Sequence, residues 1–390
     1  MIPLMKHALL RESETREALA QFIRSADRLT MSEQCRSFEE AFAAKQGRNH
    51  AVLVNSGSSA NLLLMQALKN TGRLKTGDRV GFSALTWSTN VMPIIQLGLE
   101  PVPIDCEVNT LNVSSSTLLD RLEEVDLRAF FITNVLGFAG DLERIQQLCD
   151  ERGIILLEDN CESLGTEMPQ TKTGNFGIAA SFSFFVAHHM STIEGGMLVT
   201  DDLELDTMFR IARANGWDRN LSAVDQVRLR ELHGVSSELY AKYQFYDLGF
   251  NFRPTEITGF LGLQQLALLD ENILARRRHY EEIEKVVMSH PNFIGIDRRH
   301  IKSLSPFAMP FICKNKELFR KYTMAFAGAG IEIRPMIAGN MQMQPFYRKY
   351  VATVYALPNT EFIHECAFYA GNYPELTHAD LDTFLSCLLR

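Results

Sequence analysis

The chain has 390 residues, 46% of them hydrophobic, and a formal charge of −8, an ordinary globular composition long enough for two domains. The acidic balance disfavours nonspecific attraction to nucleic acid or to an anionic membrane, while a local basic pocket for one phosphorylated ligand stays open. Charged residues break up the apolar ones in MIPLMKHALLRESETREALAQF, which therefore holds no signal-peptide core, and no stretch reaches the roughly 20 apolar residues of a membrane span. A cytoplasmic protein is expected.

In chain order, AVLVNSGSSANLLLMQAL reads as a strand, a Gly/Ser turn and a helix. RVGFSALTW, AFFITNVLG, GIILLEDN, SFSFF and GMLVTDD read as further strands between stretches of helical periodicity, which predicts an α/β fold with a mostly parallel central sheet. From about residue 250, TEITGFLGLQQLALLDENILARRRHYEEIEKVVMSH reads as one long helix followed by a mixed segment. Residues 1–250 are expected to form a large cofactor-binding domain and residues 251–390 a smaller C-terminal α+β domain. Arg276, Arg277 and Arg278 point three ways on a helix, so a solvated face paired with Glu is expected in preference to a phosphate site. The Met-rich MIAGNMQMQP is expected to pack around a mobile loop. Cysteines at 35, 106, 149, 161, 313, 366 and 387 show no close pairing, so reduced thiols are expected, and no metal or iron–sulfur site.

Four places carry residue types with chemical uses. Ser56-Gly57-Ser58-Ser59 opens a helix after a strand, which suits either a phosphate at the free N–H groups or a simple cap and tight turn. It lacks the spacing of a nucleotide-binding loop. Glu158, Asp159 and Asn160 end an apolar strand, as a helix cap or as an anion that keeps a pyridine nitrogen protonated. Trp87 lies beyond another strand, as a cover for a planar ring or as a core aromatic. In SFSFFVAHHMSTIEGGMLVT, His188 and His189 stand at a junction between two apolar runs.

Taken together, LTMSEQCRSFEEAFAAKQG, VNSGSSANLLL, SALTWSTN, LLEDNCESLG, TGNFG, SFSFF with EGGMLVTDD, and GFNFRPTEITGFLGLQQL resemble the vitamin B6-dependent nucleotide-sugar aminotransferase family over nearly the whole chain. The resemblance implies the aspartate aminotransferase fold (fold type I) and pyridoxal 5′-phosphate or pyridoxamine 5′-phosphate as cofactor. By the same resemblance Gly57, Ser58 and Ser183 hold the cofactor phosphate, Asp159 pairs with the pyridine nitrogen and Trp87 stacks on the ring. Asn251 reaches the phosphate of a neighbouring subunit's cofactor, which implies a homodimer with shared active sites.

In ordinary members of this family a lysine stands five positions after the strand serine and forms a Schiff base with the cofactor; here that slot is His188. An imidazole cannot form such a lasting imine, so non-covalent binding is implied. Proton transfer survives, because a histidine titrates at about 6.5 where a lysine needs strong depression from about 10.4. AHHMSTIEGG, and Glu162 where many aminotransferases have Gln, resemble the pyridoxamine-phosphate-dependent 3-dehydratases of keto-deoxysugars. One branch of that subgroup needs an iron–sulfur cluster and a reductase; the gap without cysteine between Cys161 and Cys313 argues against it.

The remaining branch belongs to the route to colitose, a lipopolysaccharide O-antigen sugar. It implies a lyase that removes the C3 hydroxyl of a nucleotide-linked 4-keto-6-deoxyhexose, GDP-4-keto-6-deoxymannose favoured, uses L-glutamate to regenerate the amine cofactor and releases ammonia. His188 serves as base and then acid, Glu162 contacts the cofactor ring or a water, and His189 is structural. Arg219, Arg253 and Arg334 are candidates for the substrate phosphate or the glutamate carboxylate, against surface ion pairs. Asn215 in RANGW departs from the His of the colitose-route relative. Two other readings are a sugar aminotransferase and a catalytically silent cofactor-binding regulator.

Overall fold

The computed structural model describes residues 1–389 and contains a seven-stranded and a four-stranded sheet. Helices α1 (Glu12–Ser25) and α2 (Glu33–Gln46) lead into β1 (His50–Val54), and α3 (Gly57–Asn70) carries the chain to β2 (Arg79–Ser83). The alternation continues with α4 (Met92–Gln96), β3 (Glu100–Ile104), α5 (Ser115–Glu124), β4 (Ala129–Thr133), α6 (Leu142–Arg152) and β5 (Ile155–Asp159). The hairpin of β6 (Ala179–Ser183) and β7 (Gly196–Thr200) follows, then α7 (Leu203–Arg213), α8 (Ala223–Leu232), α9 (Glu238–Ala241), α10 (Glu256–Leu266) and α11 (Leu269–Ser289). The remainder is β8 (Phe293–Ile294), β9 (Ala308–Cys313), α12 (Lys316–Gly328), β10 (Ile333–Pro335), α13 (Pro345–Tyr350), α14 (Pro358–Cys366), β11 (Ala367–Gly371) and α15 (His378–Leu388).

The large sheet has the order β1-β7-β6-β5-β4-β2-β3, with β7 alone running against its neighbours. Its middle strands are apolar on both faces because helices cover both; in β4 every residue of AFFIT is buried. All six strands read from the sequence are present. The strand that reading missed is β3, EPVPI, whose two prolines disguise it. Glu100 donates to Asp78 on the β2 side, so the alternating positions Pro101 and Pro103 turn outward, where an edge strand needs no donor.

The second sheet, β10-β11-β9-β8, is antiparallel throughout. One buried cluster joins Phe130 and Phe138 of the large sheet's side to Ile312, Ile363 and Ala367 of the smaller one. Helix α10 packs against α2, where a side chain at Gly259 or Gly262 would meet the Cys35 backbone at 2.4 Å or the Phe38 ring at 2.3 Å. The N-terminus lies beside β10, with Ile2 exchanging backbone hydrogen bonds with Gly330 and Glu332.

Two expectations need correction. The long helix after residue 250 is two helices, parted at Ala267 and Leu268. The arginine run is not a solvated face: Arg276 is only 1% exposed, and Arg277 donates to the Leu304 carbonyl and Ser303 Oγ. Arg276 shares the inward stripe of α11 with Leu269, Asn272, Ile273 and Tyr280, at helical spacing.

Candidate active site

The strand ends assemble the site. Thr133, Asp159 and Ser181 are direct neighbours on β4, β5 and β6, and β6 runs on to Ser183, opposite Gly196 of β7. Gly196 in turn faces Val54, the last residue of β1. A Cβ on Gly196 would sit 2.4 Å from the Ser56 carbonyl oxygen and 2.7 Å from the Gly57 nitrogen, so the Glu-Gly-Gly of the sequence is what lets β7 pass under the turn between β1 and α3. On the other side of that turn, a Cβ on Gly57 would lie 2.6 Å from Ser183 Cβ and 2.9 Å from its Oγ. Ser56 caps α3 by accepting from the Ser59 amide, and the amides of Gly57 and Ser58, first in the helix, have no acceptor one turn back. The first turn of a 14-residue helix is thus pressed against a serine hydroxyl, an arrangement that suits a small phosphate.

The two carboxylates ending β5 have different work. Glu158 accepts from the amides of Gly174, Phe176 and Gly177 at 2.7 to 2.8 Å and so ties down the TGNFG loop. Asp159 points the other way: Oδ2 accepts from Asn61 at 2.9 Å and Asn90 at 2.7 Å, and Oδ1 from the Cys161 amide at 2.9 Å. A carboxylate offers about four acceptor positions, so this one is held rigidly with capacity for one further donor. The reading from sequence missed Asn61 and Asn90. Asn61 was signalled by its polarity in the run ANLLL, whereas nothing local marks Asn90. Glu162 is buried and accepts from the Leu136 amide at 2.8 Å; Leu136 itself sits at φ 55° just past β4. Burial, opposed by that amide and reinforced by Asp159, pushes the Glu162 carboxyl up to about 8.

His188 sits in the loop of the β6–β7 hairpin, in a turn closed by its own amide and the Phe185 carbonyl. Its ring packs between Phe307 at 5.3 Å and Phe185 at 6.3 Å, and its Nδ1 is shielded from water without a partner. Burial first, and then the Arg276 guanidinium, push it down to about 4, with the Cys161 backbone opposing. A neutral imidazole at neutral pH follows. His189 is buried and its Nε2 bonds the Ser305 carbonyl at 3.1 Å, which assigns the ring proton to that nitrogen and gives the residue a structural partner.

Around this centre the other candidates fall into two groups. Trp87 is 54% exposed just past β2, which excludes the core-aromatic reading. Its turn is tied to β4 by a 2.7 Å bond between Thr86 and Thr133. Arg334 on β10 faces Tyr369 of β11. Burial and then the Glu162 carboxyl hold the Tyr369 phenol above its usual range, with Arg334 opposing. The Arg334 guanidinium is half-exposed and pairs with the Glu332 carboxylate, which is the surface ion pair of its alternative reading. Arg219, Arg253 and Asn251 form a separate group. Arg219 lies 4.0 Å over the Trp217 ring and 5.0 Å over that of Tyr243, and it donates to the Lys242 carbonyl. Arg253 is 5.6 Å from the Trp217 ring and donates to Asn251 Oδ1. All three are exposed. Asn215 has a φ of 59°, a left-handed conformation that Asn and His both tolerate better than most residues.

An α/β fold with a helix N-terminus and serine for a phosphate, an anchored carboxylate for a ring nitrogen and an exposed tryptophan beside it defines the class of proteins built for a phosphorylated pyridine cofactor. The orphaned Nδ1 of His188 and the cradle that a side chain at Gly57 would fill both fit such a group. The model of the DegT/DnrJ/EryC1/StrS aminotransferase family matches residues 10–389, and the chain belongs to that family. It is 35% identical over 361 residues to the GDP-4-keto-6-deoxy-D-mannose 3-dehydratase of Escherichia coli O55:H7, covering 90% of this chain and 91% of that protein. Among solved structures, that of the E. coli GDP-4-keto-6-deoxy-D-mannose-3-dehydratase with bound hydrated PLP has a TM-score of 0.90 at 32% identity, covering 100% of this chain and 99% of the other. A GDP-4-keto-6-deoxymannose-3-dehydratase with a trapped PLP–glutamate geminal diamine has a TM-score of 0.90 at 31% identity, with both chains fully covered at 100%.

Proposed function

We propose that this protein is a pyridoxamine-phosphate-dependent 3-dehydratase of a nucleotide-linked 4-keto-6-deoxyhexose, with GDP-4-keto-6-deoxymannose as the favoured substrate. The observation that carries the reading is His188: an imidazole, neutral and shielded, stands at the end of the β6–β7 hairpin where an aminotransferase places its lysine.

When bound, the cofactor supplies the amine that engages the sugar's C4 ketone and a ring that takes up electron density. Gly57, Ser58 and Ser183 hold its phosphate, Asp159 faces the ring nitrogen and Trp87 covers the ring. His188 takes up a proton at its imidazole and returns it to the C3 hydroxyl, which leaves as water; hydroxide alone is a poor leaving group. The same residue moves the proton in the glutamate half of the cycle, which consumes L-glutamate and yields 2-oxoglutarate. The overall products are a 3-deoxy-4-keto sugar and ammonia. Arg334, opposite Tyr369 and paired with Glu332, is the remaining arginine candidate for a carboxylate or phosphate of a substrate.

The reading includes a cytoplasmic homodimer in which Asn251 serves the neighbouring site. Support for the dimer comes from the exposed apolar residues Leu239, Tyr240, Tyr243, Phe245 and Leu248 close to Asn251 in the chain. No helix among the described residues is long and apolar enough to cross a membrane.

The deciding experiment incubates the protein with cofactor, L-glutamate and a panel of nucleotide-linked 4-keto-6-deoxyhexoses and weighs the products. Loss of one oxygen with the ketone kept, and ammonia formed in step with 2-oxoglutarate, is the expected outcome. An amino sugar formed without ammonia would make it an aminotransferase. No glutamate-dependent change in the cofactor spectrum would make it a silent binder. His188→Asn is expected to abolish both halves while leaving cofactor binding in place.

A further inference from the structure

A buried arginine needs a reason, because removing a guanidinium from water costs several kcal/mol unless its donors and its charge are both answered. The donors of Arg276 are answered by neutral acceptors: Nε donates to Asn272 Oδ1 at 2.9 Å, and one terminal nitrogen to the Phe307 carbonyl at 2.9 Å. The other reaches the carbonyl of His188 at 3.3 Å. Asn272, one turn earlier on α11, donates to the carbonyl of His189. This pair of side chains therefore grips both histidines by their backbone, and Phe307, whose carbonyl is in the same grip, lays its ring against both imidazoles.

The charge is not answered at close range. No ion pair joins Arg276 to a carboxylate among the described residues, and burial brings the guanidinium down to about 10, with only Glu375 opposing. The fold therefore keeps a scarcely compensated positive charge behind the proposed proton carrier. The groups set against His188 are Arg276 from α11, the Cys161 backbone just past β5 and His189 from its own loop, with His7 and Glu375 lining the same cavity; Asp159 and Glu162 act on the neighbouring Cys161 thiol.

We propose that Arg276 is a positioning residue for the dehydration: its grip on the His188 backbone aims the imidazole, and its fixed charge repels the proton that His188 has just taken, driving it on to the departing hydroxyl. A neighbouring cation keeps the carrier neutral before the step and makes it a stronger acid after it, at the cost of a weaker base in taking the proton up, so the arrangement favours the departure of the hydroxyl. The proton enters and leaves on the same imidazole, so the step needs no oxidant, reductant or further base.

This inference rests on His188 being the proton carrier, and the test separates the two. Histidine-labelled full-length protein is titrated by nuclear magnetic resonance with and without pyridoxamine phosphate, the His188 signal being identified by its loss in His188→Gln. In the parent protein the midpoint is expected near 4, matching its buried, cation-facing position. In Arg276→Met it is expected to rise by about one unit or more, a tenfold or larger gain in proton affinity, with the acid limb of the pH–rate profile rising alongside. Arg276→Lys keeps the charge and loses the planar grip, so its midpoint stays while kcat falls about tenfold with KM little changed.

An unmoved His188 midpoint in folded Arg276→Met would overturn the electrostatic half, and full kcat in Arg276→Lys would overturn the positioning half. Should Arg276→Met fail to fold, Arg276→Gln, which keeps amide donors for the neighbouring carbonyls and carries no charge, decides the first half, and an unmoved or lowered midpoint would sink it. If instead His188→Gln kept dehydratase activity, the role of His188 as proton carrier, and this inference with it, would fail while the dehydratase reading stood.

Discussion

At the scale of single residues, Glu162 is the most informative acid. Its folded carboxyl is held at about 8, against an ordinary value of 4.5, by burial and by Asp159. In the cofactor-free protein the folded state therefore holds this proton more tightly than the unfolded chain does. The resulting stabilisation is full below 4.5 and is lost as the pH rises through about 8. Glu162→Gln, which never ionises, is expected to lose less melting temperature between about pH 5 and about pH 9 than the parent protein, measured by thermal unfolding across that range. Equal losses in the two proteins would show that Glu162 is already ionised in the fold. Asp159 illustrates the opposite design, since three donors converge on it and leave room for one more.

At the scale of elements, the β6–β7 hairpin does two jobs. Its loop presents His188, and its return strand passes so close to the turn before α3 that only glycine fits at position 196. Gly196→Ala is expected to cost about 3 kcal/mol of stability, since the neighbours are backbone atoms that cannot step aside, and to weaken cofactor binding by displacing the Gly57 and Ser58 amides. Chemical denaturation and a cofactor titration measure the two effects. Unchanged cofactor affinity would show that these amides do not hold the phosphate. The arginine run on α11 shows how an element can be misread from composition. Charged triplets usually face water, yet the stripe that buries Leu269, Ile273 and Tyr280 also passes through Asn272 and Arg276. That periodicity was visible in the sequence, but the reason for burying a cation was not.

At the scale of the whole molecule, the proposed sharing of sites has a direct consequence. His188→Asn and Asn251→Ala are each expected to be inactive alone. Mixing them under conditions that exchange subunits is expected to restore activity, because one of the two sites in a mixed dimer then has both residues intact. No recovery despite demonstrated exchange would place Asn251 in the same site as its own His188, or outside the site altogether. Arg219 and Arg253 are exposed around the Trp217 ring, and Arg253 donates to Asn251.

The sequence by itself determined the α/β class, six of the seven strands of the main sheet and the identity of the residue in the lysine slot, because strand apolarity, turn glycines and motif order are local properties of the chain. It also determined which carboxylates and serines end those strands. Only the tertiary structure decided which of those groups do what. Glu158 and Asp159 are adjacent in sequence, yet one holds a loop and the other faces the site, because neighbours on a strand point to opposite sides. Likewise only the fold brought Asn61, Asn90, Phe307 and Arg276 to Asp159 and His188. Contacts between residues 69 to 119 positions apart leave no local pattern to read, and the shift of His188 comes from its surroundings, not from the imidazole itself.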